Sequence, residues 1–384
     1  MQGVDYTYVA VGVVAAVILG VAVAWAIRRS RSKESPEDLY TAGLNYLLAG
    51  EKDRALEAFR KSVARNTANI DAYIRIGDIL REKGQTLRAI KIHRELTVRS
   101  GLTREQLLTI YRSLVEDYLA AGDREKAAAV LLKMLEIQKE NLWAVQTLIR
   151  AYEDLGDWEK AAAWRKKLRS IQGTDQSRIL GLYKVEQGRE AVRAGKEKAA
   201  RIRFREAIKI DPACAPAYLE LADSYVREAR EGDALKVLRD FVRKAPKQAY
   251  LAFSRIEDVL FKVGQFGEVE KILRDLIAEH PRAVRARLAL ARIHEKRGEI
   301  DEAIQLCEEA LQHEPGSMAA RSQLIRLYQK NGDTERALQL ASEIAEAGAE
   351  ERAKFECSTC GYQSAEFFWR CPKCGAWQPA FERQ

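Results

Sequence analysis

The sequence predicts an all-α protein: an array of about nine helix–turn–helix units, preceded by an apolar helix and followed by a small metal knuckle. Three observations carry this. A glycine-to-alanine spacing recurs with a period near 34 residues, an uncharged run opens the chain, and four cysteines crowd the last 30 residues. The composition is globular, with 47% hydrophobic and 31% charged residues over 384 positions and a net charge of +8. That supplies enough apolar material for a sizeable core.

The first element is the stretch from Tyr6 to Ile27, which has 22 residues and no charge. At 1.5 Å per residue it is long enough to cross a hydrocarbon layer about 30 Å thick. A cleaved secretory signal would place its positive charges before the apolar run. Here Asp5 is the only early charge, and Arg28, Arg29, Arg31 and Lys33 follow the run. Ala22-Val23-Ala24 does resemble a small-residue cleavage site, but the charge order favours an uncleaved anchor over residues 1–29. Residues 30–34 form a basic linker. The positive-inside rule places the N-terminus outside and the bulk of the chain on the cytoplasmic side. Gly12, Ala16, Gly20 and Ala24 lie four apart on one helical stripe. Such a stripe lets a second helix approach closely, which permits a homodimer, and it is also common in membrane helices generally.

The array follows, over residues 35–346. Ser35-Pro36-Glu37-Asp38 offers an N-cap serine, a first-turn proline and first-turn acids. Gly50, Gly84, Gly122, Gly156, Gly195, Gly264, Gly298 and Gly332 mark successive turns, with Ala229 standing where a ninth glycine belongs. Five residues beyond each turn comes a small residue: Ala55, Ala89, Ala127, Ala161, Ala200, Ala234, Ala303 and Ala337, with Val269 in the remaining slot. Tyrosine precedes the turn by four in five units (Tyr46, Tyr118, Tyr152, Tyr225, Tyr328), and Pro212, Pro246, Pro281 and Pro315 close units. The glycine permits the turn, the alanine a close helix crossing, and the proline stops a helix. Insertions of four and five residues before Gly122 and Gly195 imply longer helices or loops there.

This pattern resembles the tetratricopeptide repeat, whose units stack into a superhelix and bury a continuous core. Such solenoids bind partners along a concave groove. By that resemblance the groove positions include Arg112, Arg150, Arg189 and Arg193. Residues 160–210 hold 15 Lys and Arg against 5 Asp and Glu. A charge run of this kind is usually a solvated face. Its functional counterpart is contact with an acidic partner or anionic headgroups. No interleaved aromatics point to nucleic acid.

A linker over residues 347–352 leads to the tail, residues 353–384. Cys357 and Cys360, then Cys371 and Cys374, form two CxxC pairs ten residues apart, each followed by glycine. Four thiolates in this spacing suit one tetrahedral ion, zinc or iron. A cytoplasmic setting disfavours disulfides, and redox CxxC motifs occur singly beside a βαβ pattern. A piece of 30 residues needs the metal to fold. Its six aromatics, Tyr362, Phe367, Phe368, Trp369, Trp377 and Phe381, are expected around the knuckles or against the last repeats. The stretch looks like a shortened rubredoxin knuckle pair. Cys214 and Cys307 read as core positions, and His93, His280, His294 and His313 have no ligand or triad spacing. No phosphate loop, HExxH motif or nucleophile elbow is present, so the sequence offers no enzyme.

Anchor, repeats and knuckle together resemble the lipopolysaccharide assembly protein B family of the Gram-negative inner membrane. The resemblance implies a single-pass adaptor that helps the membrane protease FtsH degrade the deacetylase LpxC. It also implies contacts with lipopolysaccharide transport and synthesis proteins and with a membrane signalling partner. Two other readings fit the residues: a generic inner-membrane scaffold, and a rubredoxin-like electron carrier. The tail's four basic residues against three acidic ones argue against nucleic acid, which requires several phosphate contacts.

Overall fold

The computed structural model describes residues 17–23, 35–265, 267–346, 355–364, 366–377 and 381–382. Two compact units divide it, residues 1–173 and 174–384. Residues 17–23 are helical, and their large apolar side chains are exposed. Gly20 lies on this piece, whereas Gly12, Ala16, Ala24 and the rest of the expected anchor lie outside the described residues. No helix among the described residues is long and apolar enough to cross a membrane.

The first unit holds four helical hairpins. They are α1 (Pro36–Leu48) with α2 (Lys52–Arg65), α3 (Ile70–Glu82) with α4 (Thr86–Leu96), α5 (Arg104–Ala120) with α6 (Arg124–Ile137), and α7 (Leu142–Leu155) with α8 (Trp158–Gln172). Ser35 begins the array with a capping box. Its hydroxyl accepts from the Asp38 N–H, and the Asp38 carboxylate accepts from the Ser35 N–H, both at 3.0 Å. This satisfies two orphan donors of the first turn.

The second unit continues with α9 (Ser177–Arg193) and α10 (Glu197–Ile210), then α11 (Ala215–Arg227) and α12 (Glu231–Lys244). A 3₁₀ turn (Pro246–Ala252) leads into a short α13 (Phe253–Lys262), paired with α14 (Glu268–Glu279). Two further hairpins follow: α15 (Val284–Arg297) with α16 (Ile300–His313), and α17 (Met318–Asn331) with α18 (Thr334–Glu346). Three two-residue strands close the chain: β1 (Phe355–Glu356), β2 (Gln363–Ser364) and β3 (Phe381–Glu382).

Each hairpin packs on its neighbour within its unit. The core runs along these contacts because every alanine of the repeat slot is buried: seven of the eight have no exposed surface, and Ala337 has 3%. The two insertions are absorbed by α5 and α9, each 17 residues long. A second set of close approaches was not read from the sequence. A Cβ placed at Gly43, Gly77 or Gly188 would run into the ring of Phe59, His93 or Phe204 on the paired helix.

The turn glycines adopt left-handed backbone, with φ between 69° and 84° at the eight positions. Ala229 does the same, at φ 54°, and is the single non-glycine to do so among the described residues. The turn geometry thus wins over the residue's own preference. A left-handed alanine costs about 1–2 kcal/mol, and the freedom glycine adds to the unfolded chain offsets about 0.4–1 kcal/mol of any gain. Ala229→Gly is therefore expected to stabilise the protein by up to about 1 kcal/mol, read as a higher urea midpoint. A lower midpoint would show that the turn carries no such strain.

Candidate metal centre

The centre is built from two matching knuckles. In the first, the Cys357 N–H donates to the Tyr362 carbonyl (2.8 Å) and the Gly361 N–H donates back to the Cys357 carbonyl (2.9 Å). The second repeats this with Cys371, Ala376 and Gly375, at 2.9 Å for both bonds. Gly361 and Gly375 have φ values of 68° and 69°. That backbone turns both thiols of a CxxC pair toward the same point. β1 pairs antiparallel with β2 and β3, in the order β2-β1-β3, and holds the start of the first knuckle.

The four sulfurs lie within 4.8 Å of one another. Cys357 and Cys374 stand 3.8 Å apart, Cys360 and Cys371 3.7 Å. A tetrahedral ion with metal–sulfur bonds of about 2.3 Å requires sulfur–sulfur edges of about 3.8 Å. The donor set therefore fits one such ion. Cys357 and Cys371 are buried at 3% and 1%, while Cys360 and Cys374 are half-buried. Donation from the backbone N–H of Thr359, and secondarily of Cys360, pulls the Cys357 thiol down to about 6.

Aromatic rings form the shell. Phe367 stands edge-on to Phe355 (5.2 Å) and to Trp369 (4.6 Å), and Tyr362 to Phe368 (5.7 Å). Trp377, three residues beyond Cys374, is 6% exposed and meets Tyr183 of α9 edge-on at 5.5 Å. The Arg370 guanidinium covers its ring at 5.2 Å. Beside this contact Trp369 lines a cavity of about 240 Å³ with Arg178, Asp211, Cys214 and Gln248. The aromatics gather around the knuckles, one of the two placements expected, and Trp377 adds a contact with the repeats at Tyr183. Trp377 reaches back to the first hairpin of the second unit because Tyr183 offers it an aromatic partner. A tryptophan just past the fourth cysteine was the available signal for this contact.

The other expected site residues are placed separately. Arg112 stacks on Trp143 at 4.8 Å and has its Nε 3.4 Å from Glu116. Arg150 and Arg193 are placed on the first helices of their hairpins, and both are exposed. Arg189 is tied between Glu186 (2.8 Å) and Glu220 (2.7 Å). Much of the basic stretch is neutralised in the same way. Lys160 pairs with Asp157, Arg165 with Glu153, Lys184 and Arg203 with Glu206, and Arg201 with Glu228. Cys214 and Cys307 are core residues, 3% and 0% exposed, and burial pushes both thiols up to about 12.

Two tetratricopeptide-repeat models match the chain, one over residues 118–184 and 296–354, the other over 185–249 and 258–318. The chain belongs to the tetratricopeptide-repeat family. A third model, described as a rubredoxin metal binding domain, matches residues 355–378 and so contains all four cysteines. Relatives match along nearly the whole length. The chain is 23% identical over 366 residues to lipopolysaccharide assembly protein B of Escherichia coli (strain K12), covering 93% of this chain and 94% of the relative. It is 22% identical over 393 residues to the protein of the same name from Haemophilus influenzae, covering 94% and 95%. Among solved structures, the TPR2AB-domain:pHSP90-complex of yeast Sti1 aligns with a TM-score of 0.33 and 16% identity over 81% of this chain and 98% of that one. This tetratricopeptide-repeat protein is a homologue of lipopolysaccharide assembly protein B, and its repeats mark it as an adaptor, not an enzyme.

Proposed function

We propose that the chain is a membrane-anchored adaptor of lipopolysaccharide assembly. The observation that carries this reading is near full-length similarity to proteins named for that process. Residues 1–29 anchor it, and the bulk faces the cytoplasm. The array holds a soluble client beside a membrane protease of the FtsH type, and the client is the LpxC-type deacetylase. Tethering turns capture into a local event, which raises effective concentration without any bond being broken by this chain. The ion held by the four thiolates, zinc or iron, gives its domain the folding energy that 30 residues lack. That domain braces the array through Trp377 and Tyr183. A ferric centre would colour the protein and a zinc centre would not, so a visible spectrum assigns the ion.

The test is a chase of the deacetylase after synthesis is blocked, in cells with the protein, without it, and with Trp377→Ala. The deacetylase is expected to persist when the protein is absent and to persist in part with Trp377→Ala. An unchanged lifetime without the protein would overturn the assignment of client and leave a scaffold for other membrane enzymes.

A further inference from the structure

A groove in the second unit is built differently from the rest of its array. Where the other hairpins begin with a first helix of 13 to 17 residues, the seventh begins with the 3₁₀ turn Pro246–Ala252 and a ten-residue α13. This departure opens two adjoining cavities, about 520 and 250 Å³, which share Tyr250, Phe253, Val284, Arg285 and Glu314. The floor is apolar: Phe253, Val284 and Leu288 are 5–7% exposed. Met318, half-exposed at the start of α17, lines one wall, and its unbranched thioether adapts to irregular partners.

The rim is cationic. Lys247, Arg282, Arg285 and Arg292 line it against the single acid Glu314. All four cations are exposed, and Lys247, Arg282 and Arg292 form no ion pair among the described residues. This contrasts with the basic stretch near α9 and α10, where the neighbouring carboxylates take up the charge. The Arg285 guanidinium lies 4.1 Å from the Tyr250 ring centre. Stacking there restrains its plane, which lowers the ordering needed to bind a carboxylate edge-on.

We propose that this groove docks an extended acidic segment of a partner protein, with an apolar side chain seated over Phe253, Val284 and Leu288 and flanking carboxylates bound by Arg282, Arg285 and Arg292. Charge complementarity selects the occupant, since exposed guanidinium groups above an apolar floor match carboxylates that flank a large apolar residue. The inference rests on the adaptor reading and deepens it by naming where a client segment binds and what chemistry it needs.

The test uses the full chain in detergent and a fluorescein-labelled peptide of about twelve residues that alternates Asp or Glu with Phe and Leu. Fluorescence polarisation should show saturable binding that weakens as salt rises. The paired variant Arg285→Glu with Arg292→Glu should weaken binding at least tenfold, and the milder Arg285→Gln with Arg292→Gln in the same direction. Lys133→Glu, on α6 of the first unit, should leave it unchanged. Melting curves confirm that the variants fold. Equal binding of the same peptide with Gln and Asn in place of its acids would overturn the proposal. So would unchanged binding by both arginine variants. Binding to phosphatidylglycerol vesicles that the arginine variants lose, without peptide binding, would assign the groove to headgroups and overturn it too. The readout does not involve the deacetylase, so a failed client assignment and a failed groove are separable.

Discussion

Replacing Cys371 with serine is expected to empty the metal centre and detach the C-terminal domain from the repeats. Cys371 is 1% exposed, its sulfur is 3.7 Å from that of Cys360, and its N–H and carbonyl make both bonds of the second knuckle. Structural zinc sites contribute apparent binding energies of about 10–16 kcal/mol at neutral pH. A domain of this size has no core able to replace that contribution. Metal analysis should fall from one ion per chain toward none, and limited proteolysis should release the tail. The helical signal should persist, because most of the array's contacts run between neighbouring hairpins. A variant that keeps one ion per chain and protects Trp377 would show that three thiolates suffice.

The second large effect lies far from the metal. Asp117 of α5 and His93 of α4 are both fully buried, and the His93 Nδ1 stands 2.6 Å from the carboxylate. The other ring nitrogen faces the Ile74 carbonyl at 3.2 Å. Arg81 of α3 completes the knot: it donates to Asp117 (2.9 Å), Glu116 (2.9 Å) and Asp78 (2.8 Å). The network joins two successive hairpins of the first unit, and Gly77 leaves room for the imidazole. Asp117→Ala would strand a guanidinium and an imidazole that have lost their buried partner. Removing one member of a buried ionic pair costs about 3–5 kcal/mol. The chemical-denaturation midpoint should fall accordingly. His93→Ala made on top of it should cost less than it does alone, because the two share one network. A midpoint unchanged by Asp117→Ala would mean the network contributes no net stability.

The repeat architecture was legible because each turn asks for a left-handed residue and each crossing for a small one. Both demands are written at fixed spacing, and even Ala229 was placed correctly by its slot. The cysteine knuckles were legible for the same reason: their geometry is local. The His93–Asp117 pair was not, since its members are 24 positions apart on different hairpins and no motif joins them. The fate of Arg189 was equally hidden. A count of charges along the chain cannot see Glu220, which the next hairpin brings to within 2.7 Å. The groove at Arg285 depends on a 3₁₀ turn that Pro246 opens, where the sequence pattern read that proline as a unit's end.

The meeting of Tyr183 and Trp377 has a consequence for how the second unit unfolds. The two rings are 194 positions apart in sequence, while nearly every other contact links neighbours. Closing a loop of that length costs roughly 5 kcal/mol of chain entropy, which the aromatic contact and its surroundings must offset. An open stack frays from its ends, one hairpin at a time. A stack whose last segment is fastened to its first hairpin has no loose end on that side. Amides of α17 and α18 should then exchange with solvent in step with those of α9, as one cooperative block, and should fall out of step once the clasp is cut.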